Sequence, residues 1–562
     1  MLSLPDWSNL SLAEQVAQMV VVRASGHLFD QQIQYPEWEP PAQVLQHWVK
    51  DLQVGGVLLL GGSAAEVRLR THQLQGWATI PLLIAADIEE GVGQRFAGAT
   101  WFPPPMAIGA IARQQPQQAV AYAEQMGAAT AQEALAIGIN WILAPVVDVN
   151  NNPANPVINV RAWADSPDTV SHLTTAFLRG AQRYPALTTA KHFPGHGDTA
   201  IDSHLELPTI LHSRDRLAEV EFPPFQTAIA AGVDAVMTAH LHIPALDAAN
   251  PATLSPQILT DELRQTLGFN GLIVTDALVM GAITDRYGAN EAPVLAVEAG
   301  ADLVLMPVDP EGAIQAICAA VETGRIPLDR IHASLQRIWQ AKAKVCVPEI
   351  QGGSSHAWEQ LPPPDVQTQF ISALAQPPVL ATATGILRDS MQVYHPTNSR
   401  LDQPKWQTNC RNLILIDDRL NSPFLNRQAP AITYPRRLGY DVQTIDRYVP
   451  CTAAQAQTQR WQPTLLQVFL RGNPFRGNAG LSHSAQEWFE LLVQSNQIQA
   501  LVIYGSPYSL EQFLPQLPPD VPYIFSYGQM AAAQTLSLEA LFSADALPVP
   551  VGASSSDRTF TD

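Results

Sequence analysis

The chain is short of charge and shorter still of cysteine. Charged residues are 15% of the total, against roughly 25% in an average soluble domain. Only four cysteines occur in 562 residues, Cys318, Cys346, Cys410 and Cys451. They lack the short spacing of a metal site and the density of a disulfide scaffold, so reduced thiols in a cytoplasm are the expectation. Basic side chains are scarce relative to acidic ones, 32 against 51, and the formal charge is -19. Such a field repels phosphate backbones and anionic lipid, which excludes nucleic acid and a membrane surface as expected partners. No apolar run is long enough to span a bilayer. The opening, MLSLPDWSNLSLAEQVAQMVVVR, lacks the basic start, unbroken apolar stretch and cleavage site of a secretory signal. What is abundant is apolar residues, at 46%, enough to build cores and to exclude disorder as the general state. Length favours one large domain and a smaller one.

Between residues 19 and 307 eight short aliphatic runs recur: MVVVR, GGVLLL, PLLIAAD, WILAPVVDV, LTTAKHF, AVMTAHL, LIVTDAL and DLVLMP. Each is separated from the next by enough residues for a helix. Near-continuous apolar character suits strands buried on both faces, and strand-helix alternation implies a parallel sheet. Eight such units predict an α/β fold of the TIM or (β/α)8 barrel type over residues 1–346. Ser166-Pro167 and Ser255-Pro256 place an N-cap hydroxyl before a first-turn proline, and Gly268 can end the second of these helices. The Ala-rich segment QQAVAYAEQMGAATAQEALAIG reads as a long helix before the fourth strand. Residues 347–370, with Gly-Gly-Ser-Ser and three successive prolines, read as a linker without helix or strand. Beyond it, NLILIDD, TLLQVFLRG, ALVIYGSP and YIFSYG predict a smaller open α/β sandwich domain over 371–562.

In a barrel of this type the reacting groups lie at the carboxyl ends of the strands. The third run ends in Asp87, with Arg95 in its loop. The fourth ends in Asp148, with Arg161 in the loop NNNPANPVINVRAWADSP. The fifth ends in Lys191-His192, the sixth near His240 and His242, and the seventh in Asp276. Polar groups converging on one end of an apolar barrel suit a polyhydroxylated ligand. The loop after the fifth run reads KHFPGHGDTAIDSH. Two residues apart in extended chain, Asp202 and His204 share a side, so the carboxylate can hold one imidazole nitrogen while the other faces substrate. Glycosidic cleavage needs an acid for the departing oxygen and, where configuration is retained, a carboxylate about 5 Å from it. His204 and Asp276 can fill these roles.

The three segments KHFPGHGDTAIDSH, DVNNNPANPVINVR and VTDALVM resemble family 3 glycoside hydrolases, and more narrowly the bacterial β-N-acetylglucosaminidases of cell-wall recycling. The resemblance covers about residues 10 to 345 and continues more weakly through the GSPY and SYG segments. It implies a histidine acid/base, His204, assisted by Asp202, and an aspartate nucleophile, Asp276. It also implies that Asp87, Arg95, Arg161, Lys191 and His192 hold the sugar in the cleaved position. The expected activity is release of terminal β-linked N-acetylglucosamine from peptidoglycan fragments or chitooligosaccharides, with a small carbohydrate substrate and no cofactor or metal. Related β-glucosidases lack the D-S-H loop. One departure stands out: relatives with D-x-E-G-G-R after the third strand have a glycine and an arginine where this chain has Glu90 and Val92, which implies an altered loop or leaving-group preference.

Other readings use the same residues. A phosphate could replace water as acceptor, since a histidine base repels an anion less than a carboxylate does. The H-x-H at His240 and His242, with His192, His196 and His204, could mark a metal-dependent amidohydrolase. A sugar-binding protein without turnover is a third. More structurally, Asp276 could cap the next helix, Lys191 and Asp87 could form an ion pair, His196 could brace its loop through backbone bonds, and His240 and His242 could be satisfied polar residues of the barrel mouth.

Overall fold

The computed structural model describes residues 4–201, 206–348, 354–356, 370–396, 401, 410–448, 462–471 and 483–542. Two compact units result, one closing at Asp389 and the other opening at Ser390. Among the described residues no helix is long and apolar enough to cross a membrane.

The first unit is the expected barrel. Its strands are β1 (Val20–Ser25), β2 (Gly56–Leu60), β3 (Leu83–Ala86), β4 (Trp141–Ile142), β5 (Leu187–Phe193), β6 (Ala235–Thr238), β7 (Leu272–Val274) and β8 (Val304–Leu305). They run parallel in the order β7-β6-β5-β4-β3-β2-β1-β8. A bridge from Val274 to Leu303 and bonds from Thr275 N and Leu278 N to the carbonyls of Leu303 and Leu305 join β7 to β8 and close the ring. Every residue of β5 is buried, as a strand covered on both faces requires. The fourth run is the least regular. Only two of its residues form a strand, because Pro145 has no N–H to give the ladder, and pairing resumes where Val147 N donates to the Lys191 carbonyl.

The helices obey the sequence signals with two exceptions. The helix Pro167–Ala181 starts behind Ser166 as expected, with the Ser166 hydroxyl donating to Thr169 Oγ1 and not capping a backbone N–H, and the Ala-rich helix spans Pro116–Ala136. The Ser255 signal also holds, with Ser255 Oγ accepting from Ile258 N, but the helix it starts, Gln257–Thr266, is a π-helix. The second exception is the expected linker: Cys346–Pro348 (β9) and Ser354–His356 (β10) pair antiparallel, so local backbone pairing takes in both serines of the Gly-Gly-Ser-Ser stretch. The rest of 347–369 lies outside the described residues. The helix Pro377–Ser390 falls almost wholly in the barrel unit, not in the C-terminal domain expected to begin at 371. It docks on Pro116–Ala136 through Tyr122 Oη to Asp389 and Thr382 Oγ1 to Gln125.

The second unit is a six-stranded sheet: β11 (Gln392–Tyr394), β12 (Cys410–Ile416), β13 (Tyr440–Ile445), β14 (Thr464–Leu470), β15 (Ile498–Gly505) and β16 (Tyr523–Ser526). The order is β11-β16-β15-β14-β12-β13, with β11 antiparallel and the others parallel. Its core gathers Ile414, Leu465, Val502, Ile524 and Leu538.

Helices Pro116–Ala136 and Pro167–Ala181 lie backbone to backbone. A Cβ on Gly127 would stand 2.0 Å from the Phe177 carbonyl oxygen, and one on Gly180 1.9 Å from that of Glu124. Alanine is favoured over glycine in a helix by about 1 kcal/mol, but overpacking costs about 1–3 kcal/mol. Gly127→Ala and Gly180→Ala should therefore each lower the urea midpoint of the barrel unit, and a raised midpoint would show that the two helices separate at no cost.

Candidate active site

Three neighbouring strands deliver a connected set of charges to the carboxyl end of the barrel. Lys191, near the end of β5, has its side chain 1% exposed, and its ammonium sits 2.7 Å from both Asp87 Oδ1 and Glu89 Oε1. Glu89, in the loop after β3, accepts two parallel bonds from Arg161: Nε to Oε2 at 2.8 Å and Nη2 to Oε1 at 2.7 Å. The planar guanidinium fits a carboxylate in that bidentate way. Arg161 Nη1 also donates to the Val157 carbonyl, and Nη2 lies 3.5 Å from His192 Nε2. On its other side His192 Nδ1 meets Asp148 Oδ2 at 2.8 Å, while Asp148 Oδ1 accepts from the backbone N–H groups of His192 and His196. A chain of contacts thus runs Asp87, Lys191, Glu89, Arg161, His192, Asp148.

Glu89 is the residue that strand-end reasoning missed. Its signal was present as the second acid in Asp87-Ile88-Glu89, two positions beyond the strand-end aspartate. Burial alone would raise the Glu89 carboxyl, but the Arg161 and Lys191 cations outweigh it and hold the group well below the usual carboxylate range. The partners respond in kind. Burial pulls Lys191 down and its two carboxylates push it above an ordinary lysine, and burial of Arg161 is likewise outweighed by Glu89.

Arg95 is exposed, and its Nε donates to the backbone carbonyl of Asp87. The two residues replacing the relatives' glycine and arginine are both buried. Glu90 accepts from Trp101 Nε1 at 2.9 Å, and Val92 packs inside, so this loop is held by a carboxylate tie that a glycine does not supply.

Asp276 lies two residues past the end of β7 and is half-buried, with Oδ1 accepting from the next backbone N–H, that of Ala277, at 2.8 Å. It does not cap a helix, since the next one is Gly281–Tyr287 with Met280 at its N-cap. His196 is buried close enough for the Asp276 charge to act on it. Burial depresses this imidazole to about 4 against the opposing pull of Asp148 and Asp276. Its ring bonds the Thr199 hydroxyl at 3.1 Å, and its backbone N–H donates to Asp148 Oδ1 at 2.7 Å, so the residue braces its loop through side-chain partners. Asn155 fastens the same loop, donating to the carbonyls of His196 and Gly197 and accepting from Val157 N and Ile158 N. A side chain at Gly197 would strike the Val149 carbonyl at 1.7 Å, which explains the glycine. Asp202 and His204 lie outside the described residues. His240 bridges Thr253 Oγ1 and the Ala277 carbonyl, and His242 Nε2 reaches the Ala248 carbonyl, so both are satisfied polar residues of the barrel mouth.

Residues 11–341 match the glycosyl hydrolase family 3 N terminal domain, and residues 403–543 the bacterial glycosyl hydrolase family 3 C-terminal domain. The chain is 34% identical over 389 residues to the Beta-hexosaminidase A of Pseudoalteromonas piscicida, covering 62% of this chain and 63% of that protein. It is 37% identical over 263 residues to a Beta-hexosaminidase of Stenotrophomonas maltophilia (strain R551-3), covering 46% and 78%. The first of these matches thus spans less than two thirds of the relative's length. Among solved structures, a glycoside hydrolase family 3 beta-N-acetylglucosaminidase from Paenibacillus sp. str. FPU-7 superposes with TM-score 0.74 at 28% identity, covering 96% of this chain and 98% of that one.

Two stability measurements check the electrostatics. Glu89→Ala leaves Arg161 and Lys191 short of a buried partner and should cost about 3–5 kcal/mol in urea unfolding; a loss under about 1 kcal/mol would mean that water already screens the network. For His196, the unfolded imidazole takes a proton near its ordinary value and the folded one only near 4. Between about pH 6.5 and 4 the unfolded chain therefore binds more protons, and stability falls as the pH drops through that window. His196→Asn should flatten this part of the pH profile relative to the parent, and an unchanged slope would assign the acid lability to other groups.

Proposed function

The chain belongs to glycosyl hydrolase family 3, and from that premise we propose that it releases terminal β-linked N-acetylglucosamine, with configuration retained, from peptidoglycan fragments or chitooligosaccharides. The observation that carries the reading is the preorganised mouth of the barrel, where a buried ion network presents Asp87, Lys191, Arg161 and His192 on one arc and Asp276 on another. Hydroxyl-rich ligands need such a fixed set of donors and acceptors. Low cysteine content motivates a cytoplasmic location, which fractionation tests.

In this reading Asp276 attacks the anomeric carbon while His204, protonated and steadied by Asp202, gives its proton to the departing oxygen. The resulting glycosyl ester is opened by a water from which neutral His204 takes a proton. Asp87 and Lys191 hold ring hydroxyls, Arg161 adds N–H donors and His192 a polar ring edge beside them, and Arg95 closes over the same sugar from the exposed side. Glu89 acts through Lys191 and Arg161 and is a positioning residue. Asp148 does the same for His192, by occupying Nδ1 and leaving Nε2 toward Arg161.

Release of the aryl alcohol from an aryl N-acetyl-β-glucosaminide tests the proposal. Turnover should proceed in phosphate-free buffer and yield the free sugar; formation of sugar 1-phosphate only in the presence of phosphate would replace water by phosphate as acceptor. Asp276→Ala should lower kcat by roughly 10³-fold or more with an unchanged circular dichroism spectrum. Near-normal rates in that variant would reject Asp276 as nucleophile.

A further inference from the structure

Beside the barrel mouth lies a cavity of about 490 Å³, walled by β1 and by the segments that follow β1, β7 and β8, and by none of the residues assigned roles above. Arg23, Glu37, Trp38 and Trp48 line the β1 side, Val279 the β7 side and Val308 the β8 side. Val279 is only three residues past Asp276, a separation of at most about 11 Å of chain. The cavity wall therefore begins within a short reach of the proposed reaction centre.

Its aromatic face is built rather than incidental. Glu39, 2% exposed, accepts from both Nε and Nη2 of Arg23 at 3.1 and 2.8 Å. So held, the guanidinium sits 4.9 Å from the Tyr35 ring centroid and 5.2 Å from that of Trp38. The two rings stack at 6.0 Å and 20°. A desolvated ion pair under two rings fixes the Trp38 indole before any ligand arrives.

We propose that this cavity receives the sugar ring on the leaving-group side of the cleaved bond and favours a neutral pyranose over a carboxylate-bearing one. The proposal rests on the hydrolase reading above and narrows its substrate to the chitooligosaccharide kind. A pyranose offers C–H groups to an indole face and hydroxyls to polar edges, which Trp38, Trp48 and Glu37 supply together. Charge gives the selectivity. Arg23 is the one cation among the lining residues and is already matched by Glu39, whereas Glu37 lines the cavity and Asp309 lies between the lining residues Val308 and Pro310. A carboxylate entering there meets like charge with no cation left for it.

Three substrates and three variants test this. N-acetyl-β-glucosaminyl fluoride has a one-atom leaving group and leaves the cavity empty; N,N′-diacetylchitobiose fills it with a neutral ring; GlcNAc-MurNAc fills it with an acidic one. The wild type should prefer the neutral disaccharide in kcat/KM by about tenfold. Trp38→Ala, and independently Val308→Trp, which narrows the cavity from a half-exposed position, should lower kcat/KM on chitobiose by about tenfold and change the fluoride rate less than about twofold. Glu37→Lys, at an exposed site, should raise kcat/KM on the acidic disaccharide. Unchanged chitobiose kinetics in both cavity variants, equal losses on the fluoride, or a wild-type preference for the acidic disaccharide would overturn the proposal. Failure of the wild type to turn over the fluoride would instead remove the hydrolase reading on which it rests.

Discussion

Charge withdrawn from water has to be matched, and the mouth of this barrel is organised by that requirement. Lys191 and Glu89 are both nearly inaccessible, and each would be prohibitively costly to bury alone. Their mutual contact, extended to Arg161 on one side and to the partly exposed Asp87 on the other, lets buried charges of both signs stand together. The same contacts leave each group little orientational freedom. Asp148 imposes a parallel restriction on His192 by taking its Nδ1 and its backbone N–H together. Groups fixed in this way need little reorganisation when a ligand arrives, which is where such sites gain most of their effect.

The strand order distributes function around the ring. β3, β4 and β5 are consecutive neighbours and carry the ion network; β7 carries Asp276; β7, β8 and β1, again neighbours through the closing bonds, wall the aromatic cavity. In the proposed mechanism a sugar held on the first arc presents its anomeric carbon toward Asp276, and whatever is linked to that carbon extends toward the third arc. Specificity for the retained and the departing parts of a substrate can then be varied on separate loops over one scaffold, as the barrel architecture permits.

Much of this was legible in the sequence because strands buried on both faces leave unbroken aliphatic runs, and their polar ends mark the mouth. All eight barrel strands coincide with the anticipated runs. What escaped had weaker signatures. β11 is exposed along its whole length and β13 buries only its two ends, so neither reads as a run. The pairing of β9 with β10 depends on main-chain bonds in a stretch whose composition argues against it. The helix before Ser390 joins the barrel unit through Tyr122 and Gln125, partners more than 200 positions away that no local pattern can announce. Glu89 and Asn155 were overlooked for a related reason: their importance lies in whom they touch. Glu90 was expected to alter its loop, and the structure gives that change a form, a buried carboxylate bonded to Trp101. Asp202 and His204 were singled out from their loop motif alone and lie outside the described residues.

In the proposed mechanism the carboxylate just beyond β7 becomes covalently attached to the sugar while the network on β3, β4 and β5 holds it. A 5-fluoro N-acetyl-β-glucosaminyl fluoride, which slows release of the ester, followed by proteolysis and mass spectrometry of the peptides, examines this directly. The expected result is one added sugar per chain, located on Asp276. A label on Asp87 or Glu89, or rapid turnover that liberates the α-anomer with no label on any residue, would contradict it.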